Sequence, residues 1–407
     1  MAGCQRLVQA QHKFKTLNNS NNGAELAQVI QLSSQYTERV LENILNEYGS
    51  WAVIETQPTR GVWDEISTIH FQAAAAYRQR SFVDAYTHQL GSYNAFLRVF
   101  RNMTQWGISV LYVLSRDLCD VAQRADHQLN AASTQGGKLE EATRAINQGF
   151  SLCMTDREPL LSKSRKWGTY RMANILFALY VRHKAYNLCD SMIRALRASE
   201  LPPLEQFPMS DQVTFRYYRG VLAFRNEKYA SAKDDLMFAL EHCLRDSYNN
   251  KTRILVCLTP ILMAEGKAPH SRLLRRYPPI KAMYGELAKA AKAGNLRRFD
   301  ELLEEKEQHL VNTGTFMAVE RVRKVAIRQL LRKIYLINGQ NSRITFRAFC
   351  DGFMAAGVYD MDVPEMESVL ADMVFCGYMK GYLAHDHGIA VLSKQQPFPP
   401  LASLVGT

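Results

Sequence analysis

The chain of 407 residues is predicted to fold as an all-α solenoid of degenerate tetratricopeptide-like helical hairpins followed by a C-terminal winged helix. Three observations predict this. Helical periodicity dominates from residue 24 to about 340, and small and aromatic residues recur at the spacing that lets paired helices approach closely. After residue 340 the pattern switches to short β-like and helical pieces that end in a hairpin.

The length and a 47% hydrophobic content suit a well-packed protein of two or three domains and exclude disorder across most of the chain. The greasiest stretch, Met172 to Val181, is too short and too punctuated by polar residues to cross a bilayer. The first fifteen residues, MAGCQRLVQAQHKFK, contain no apolar core of signal-peptide length, so a cytosolic or nuclear compartment is expected. Eight cysteines at 4, 119, 153, 189, 243, 257, 350 and 376 form no CxxC pair and read as buried reduced thiols. His385 and His387 flank Asp386 in what reads as a turn; with no third ligand in view, no metal site is expected.

In the first 70 residues a helix, an Asn-rich turn at Asn18 to Asn22 and another helix are expected. Tyr77, Phe82 and Ala85 mark one hairpin, and Tyr180, Tyr186, Cys189, Ile193 and Leu196 mark another. Interruptions fall at Ser133 to Gly137 and at Leu201 to Pro208, the second reading as a domain boundary. The clearest hairpin is Tyr217 to Leu244, where Gly220 and Ala232 let two backbones touch while Tyr229, Leu236 and Ala239 pack around them. Gly294-Asn295 ends one helix and begins the next. Arg343 to Thr345 is β-like, Phe346 to Ala356 is helical, and Asp362 with Glu365 forms a capping box, with Pro364 in the first turn, for a helix to Cys376. Strands at Tyr378 to Ala384 and Ile389 to Ser393 complete the wing. The expected organisation is therefore a helical repeat region (1–205), a helical segment (206–340), a winged helix (341–396) and a Pro-rich tail (397–407), which is expected to pack back on the fold.

The formal charge of +11 is concentrated. Residues 251 to 347 hold 20 basic and 8 acidic residues, net +12, whereas residues 348 to 407 hold 2 and 7, net −5. Such a segment attracts phosphate or an acidic partner. Within it, a helix from Ala318 to Asn338 places Val319, Val322, Ala326, Leu330, Ile334 and Ile337 on one face. Arg321, Lys324, Arg328 and Arg332 share the opposite face with no following acid in the helix, so an external anion is expected to offset their repulsion. Arg323 and Lys333 lie toward the apolar side, where they snorkel or meet a partner. Arg272, Arg275, Arg276, Arg297 and Arg298 extend the same candidate nucleic-acid surface. The second helix of the winged motif carries Glu365, Glu367 and Asp372 and no Lys, Arg, Asn or Gln, which argues against reading bases in a major groove and for sequence-independent backbone contacts.

Three stretches resemble the PCI domain-containing protein two family, a PCI-fold subunit of the transcription and export complex two (TREX-two). They are Ser164-Arg-Lys-Trp-Gly168 with Asn174 to Tyr180, Val213 to Tyr218 running through Phe238 to Cys243, and Val391 to Lys394 with Pro397-Phe-Pro-Pro-Leu401. The resemblance implies a PCI domain in a non-enzymatic scaffold subunit that couples transcription to messenger-RNA export. It implies as partners a large PCI-bearing scaffold, a small acidic and intrinsically disordered subunit, and RNA or DNA bound without sequence preference. It also implies location in the nucleus at or near the nuclear pore, reached indirectly, with some chain in the cytoplasm. Trp167, Tyr170, Arg216, Tyr217, Tyr218 and Arg219 are the candidate groove for the acidic partner, extended by Arg165 and Lys166, with anchoring aromatics beside cations. Tyr378, Lys380 and Tyr382 on the wing suit pairing with a protein.

No GxxxxGK[ST], GxGxxG, HExxH or GxSxG motif occurs, and no catalytic residue, cofactor, metal or small-molecule substrate is expected. The alternative is a structural PCI subunit of a proteasome-lid, signalosome or initiation-factor type assembly with no nucleic-acid role. A transcription factor reading DNA through the winged helix is disfavoured by the acidic helix.

Overall fold

The computed structural model describes residues 4–55, 60–132 and 136–401. The break expected at 133–137 and the tail beyond Leu401 lie partly or wholly outside them. The chain divides into two compact units, residues 1–215 and 216–407. The division falls inside a helix, after Phe215, rather than in the Pro-containing connection at 201–208.

Among its described residues, the regular elements of the first unit are all helices. Its helices are α1 (Gln5–Asn19), α2 (Gly23–Val29), α3 (Gln35–Tyr48), α4 (Val62–Arg78), α5 (Phe82–Phe100), α6 (Ile108–Ala131), α7 (Lys138–Met154), α8 (Thr169–Arg182) and α9 (Tyr186–Ala198). Helix α10 (Met209–Arg225) begins in this unit. Successive helices pack as neighbours, α4 on α5, α5 on α6, α6 on α7 and α7 on α8, the arrangement of a solenoid. The Asn-rich turn is real: Asn22 caps α2 by accepting a bond from Glu25 N at 3.2 Å. Fully buried Phe14, Phe71, Phe96, Phe100 and Phe177 fill the core. Asp117 on α6 accepts a bond from Leu32 N at 2.9 Å and pins the connection between α2 and α3.

The second unit continues with α11 (Tyr229–His242), α12 (Tyr248–Ala264), α13 (Ser271–Arg276), α14 (Pro278–Ala293), α15 (Leu296–Thr313) and α16 (Phe316–Ile337). The expected close approach of α10 and α11 is present: a Cβ on Gly220 would lie 2.9 Å from Leu236 Cγ. Pro278 and Pro279 start α14, Gly294 ends it at φ +63°, and Asn295 immediately caps α15 by accepting from Arg298 N. Helix α16 packs against α12, α14 and α15 through Val319, Val322, Ala326, Leu330 and Ile334, all buried. Ile337, expected on this stripe, is 84% exposed because α16 ends there.

The winged helix follows as β1 (Arg343–Thr345), α17 (Phe346–Ala355), α18 (Val363–Phe375), β2 (Gly381–Ala384) and β3 (Ile389–Leu392). The sheet is antiparallel in the order β1-β3-β2, with Ile344 opposite Ala390 and Tyr382 opposite Val391. Asp362 caps α18, accepting from Glu365 N at 2.8 Å. Both strands of the hairpin are shorter than their hydrophobic pattern: ahead of β2, Met379 N donates to Met373 O at the end of α18 and Lys380 N to Pro397 O of the tail. All eight cysteines are free; Cys4, Cys153, Cys189, Cys257 and Cys350 are buried, while Cys119, Cys243 and Cys376 are only half-buried. No described helix is long and apolar enough to cross a membrane.

Two outcomes check this fold. Gly294 combines a left-handed backbone with a Cβ position 2.8 Å from Leu330 N, so Gly294→Ala should destabilise by about 1–3 kcal/mol in a denaturant melt. Burial pushes the Asp117 carboxyl up to about 7, against roughly 3.9 in an unfolded chain. The folded state therefore holds this proton more tightly, and its contribution is complete below about pH 4 and lost as pH rises through about 7. Asp117→Asn should flatten the fall in melting temperature between about pH 4 and 8; an unchanged pH profile would contradict this assignment.

Candidate nucleic-acid and partner surfaces

Helix α16 carries the basic stripe, and the structure sorts its members by what faces them. Arg328 is buried, not solvated. Its Nη2 donates to the carbonyls of Phe398 at 3.2 Å and Pro399 at 2.7 Å, with Phe398 beneath the guanidinium. Burial, and then Arg332, hold its pKa below the usual arginine value. Lys324 is also committed: its Nζ lies 2.9 Å from Asp372 Oδ2 on α18 and donates to Cys376 Sγ. Arg323 meets Asp300 on α15 in a bidentate pair at 2.8 and 2.9 Å. The acids missing from α16 itself are thus supplied by neighbouring elements, so the expectation of four unpaired cations is corrected to two. Arg321 and Arg332 are exposed and form no ion pair among the described residues. Arg321 stacks over Tyr229, 4.8 Å from its centroid.

The other arginines divide similarly. Arg297 and Arg298 pair along their own helix with Glu301, and Arg298 also with Glu305, all at 3.0–3.1 Å. They are exposed but locally neutralised, which removes them from the free basic surface. Arg272, Arg275 and Arg276 on α13 are exposed and form no ion pair among the described residues.

The residues expected to form the partner groove fall in both units. In the first unit, Tyr170 lies edge-on to Phe207 and Phe215, Trp167 packs on Phe207, and Trp167 Nε1 donates to Leu161 O. Arg165 is held by Asp156 and by the carbonyls of Phe100 and Arg101. Arg165, Trp167 and Tyr170 are all half-buried. In the second unit, Arg219 makes a bidentate pair with buried Asp235, and Arg216 lies 3.9 Å from the same carboxylate and over Phe238. Tyr217 stacks edge-on with Tyr218, and burial raises its pKa. Asp235 corrects the expectation for Arg216 and Arg219: its carboxylate takes the place assigned to an acidic partner.

On the wing, Lys380 is exposed and Tyr382 is 63% exposed on edge strand β2. Tyr378 is half-buried, and burial raises its pKa. Two acids of α18 are spoken for, Asp372 by Lys324 and Glu367 by His385 Nδ1 at 2.9 Å. His385 to His387 forms a tight turn, and among the described residues no three ligands converge to hold a metal.

A cleft of about 390 Å³ opens beside α16, lined by Tyr229, Pro260, Ile261, Arg321, Tyr378 and Leu401. Sequence reasoning missed it, since its wall is completed by the tail. Residues 397–401 cross α16 as a strap: Lys380 N donates to Pro397 O, Phe398 packs on Tyr335, and Leu401 reaches Gly266. The cleft wall is mostly apolar, and its charged members are Glu227, Lys228, Glu265 and Arg321.

A helical solenoid that runs into a winged helix defines the class of PCI-fold proteins. A Protein CSN12 homolog of Mycosarcoma maydis is 37% identical over 337 residues, covering 76% of this chain and 74% of the relative. A PCI domain-containing protein 2 of Xenopus laevis is 32% identical over 84% of this chain and 86% of the relative, and a Protein CSN12 homolog of Schizosaccharomyces pombe is 31% identical over 95% and 96%. No protein-family model matches the chain. The chain belongs to the family of PCI domain-containing protein 2 and CSN12 homologs.

The division between structural and free arginines is testable. Arg328→Leu removes the donors of two tail carbonyls and should cost about 1–3 kcal/mol while speeding tryptic cleavage at exposed Lys394. Arg332→Glu should leave stability within about 0.5 kcal/mol. Equal sensitivity of the two variants in thermal melts and limited proteolysis would refute the sorting.

Proposed function

We propose that this chain is a scaffold subunit, working without catalysis, of a nuclear messenger-RNA export complex that couples transcription to export. In this reading it pairs side by side with a large PCI-bearing scaffold, holds a small acidic disordered subunit, and binds RNA or DNA without sequence preference. It acts in the nucleus at or near the pore, which it reaches through its partners, and part of it is cytoplasmic.

The observation that carries this reading is the set of exposed arginines, Arg321, Arg332, Arg272, Arg275 and Arg276, that form no ion pair among the described residues of a segment of net charge +12. Free guanidinium groups are what phosphate oxygens require. The acids of α18 disfavour insertion of that helix into a groove, so the interactions fall on the backbone. Pairing with a second PCI fold is supported by exposed Phe375 (92%), Tyr382 and Ile337, and by edge strands β1 and β2.

Affinity purification should recover one large PCI-bearing protein and one very small acidic protein. The second reading, a structural subunit of a signalosome-type assembly, is favoured by the CSN12 homolog name of several relatives, and recovery of a many-subunit assembly would establish it instead. Reversing Arg321 and Arg332 to Glu should weaken RNA binding and reduce the slope of log K against log salt by about 0.7 for each phosphate no longer bound. Unchanged affinity and slope would remove this surface from the interface.

A further inference from the structure

The region from Ser247 to Gly285 carries seven lysines and arginines and a single acid, Glu265. That acid is already satisfied by Lys233 at 2.8 Å and Lys267 at 3.0 Å. At one end of this region two tyrosine rings stack, Tyr248 at the start of α12 and Tyr277 before α14, with centroids 5.3 Å apart and planes 18° from parallel. Tyr277 is 6% exposed and firmly held: its N–H donates to Leu273 O, its carbonyl accepts from Ile280 N and Lys281 N, and Pro278 restricts its backbone. Tyr248 keeps 40% exposure. Arg276 lies over Tyr277, 5.8 Å from its centroid, and its Nη2 donates to Arg245 O. Arg245, Arg272, Arg275 and Arg276 are all exposed, with Asp246 the one carboxylate in the loop before α12.

We infer that Tyr248 is a stacking platform for a base of single-stranded nucleic acid, with Arg245, Arg272, Arg275 and Arg276 meeting the flanking phosphates. This rests on the nucleic-acid reading above and adds to it a site and a strand preference. A flat aromatic surface fixed from behind by a second ring, beside cations without ion pairs, is what binds an unpaired strand: the base extends the ring stack, and the charges follow the backbone. A duplex offers no free base face to Tyr248, because each base is already covered by its neighbours. Any base presents a π-face, so the site is indifferent to sequence.

The test is anisotropy of the full chain with labelled oligouridine and with an RNA duplex of the same length. Tyr248→Ala should weaken oligouridine binding roughly 5- to 100-fold, leaving the salt slope and duplex affinity unchanged, while Tyr248→Phe binds like the original. Reversing Arg272 and Arg275 to Glu should instead reduce the salt slope, by about 0.7 per phosphate, and this pair probes the site without touching the ring stack. If the original chain binds oligouridine and Tyr248→Ala does not weaken it, the platform is overturned whatever the arginine pair does, and the wider nucleic-acid reading stands. If the original chain binds neither RNA, both fall. Binding of a polyglutamate peptide that Tyr248→Ala weakens, with no oligouridine binding, would make this a peptide surface and overturn the inference.

Discussion

Everything in the second unit depends on helix α16 being buried along one side while staying charged along the other. Val319, Val322, Ala326, Leu330 and Ile334 are almost wholly shielded from water against α12, α14 and α15, and removing such side chains from solvent contributes roughly 1.5–3 kcal/mol for each of the larger ones. That burial fixes the helix's rotation, and rotation then decides the fate of each cation. Positions at the margin of the buried stripe must find an acid or a carbonyl, and Arg323, Lys324 and Arg328 do. Arg332 is left exposed, and Arg321 lies over the Tyr229 ring with no acid paired to it among the described residues.

Much of the fold was legible in the sequence because its signals are local. Gly294-Asn295, Asp362 with Glu365, and Asn22 each act within a few residues through a left-handed backbone or a side-chain cap, and each does so in the structure. The Gly220 approach could be read because a tetratricopeptide hairpin repeats its packing at a fixed spacing. The change at residue 340 was visible as a loss of helical period, although the start of β2 was not, since Lys380 N donates to Pro397 O of the tail.

The candidate sites were less legible for a physical reason: an ion pair depends on what lies across a gap, and that is set by tertiary packing. Asp235, Asp300 and Asp372 lie 16, 23 and 48 residues from the cations they neutralise. Nothing in periodicity places them there. The Arg297 and Arg298 pairs, by contrast, are at helical spacing from Glu301 and Glu305 and were open to sequence reasoning. The cation surface that survives is smaller than the net charge suggests and shifts toward α13, where a short helix and paired prolines leave few acids within reach.

Arg328 holds the tail by main-chain carbonyls, and those are the same whatever residues carry them. Pro399 has no N–H that would need a partner. The strap is therefore held partly by its main chain and partly by two side chains, Phe398 on Tyr335 and Leu401 at Gly266. Related chains can drift at the exposed tail positions while keeping the strap, provided that the arginine, the prolines and the distance from the wing to α16 persist. Residues added between Ser393 and Pro397 would fall in the bend ahead of these contacts, so the strap survives them wherever Pro397 O can still reach Lys380 N.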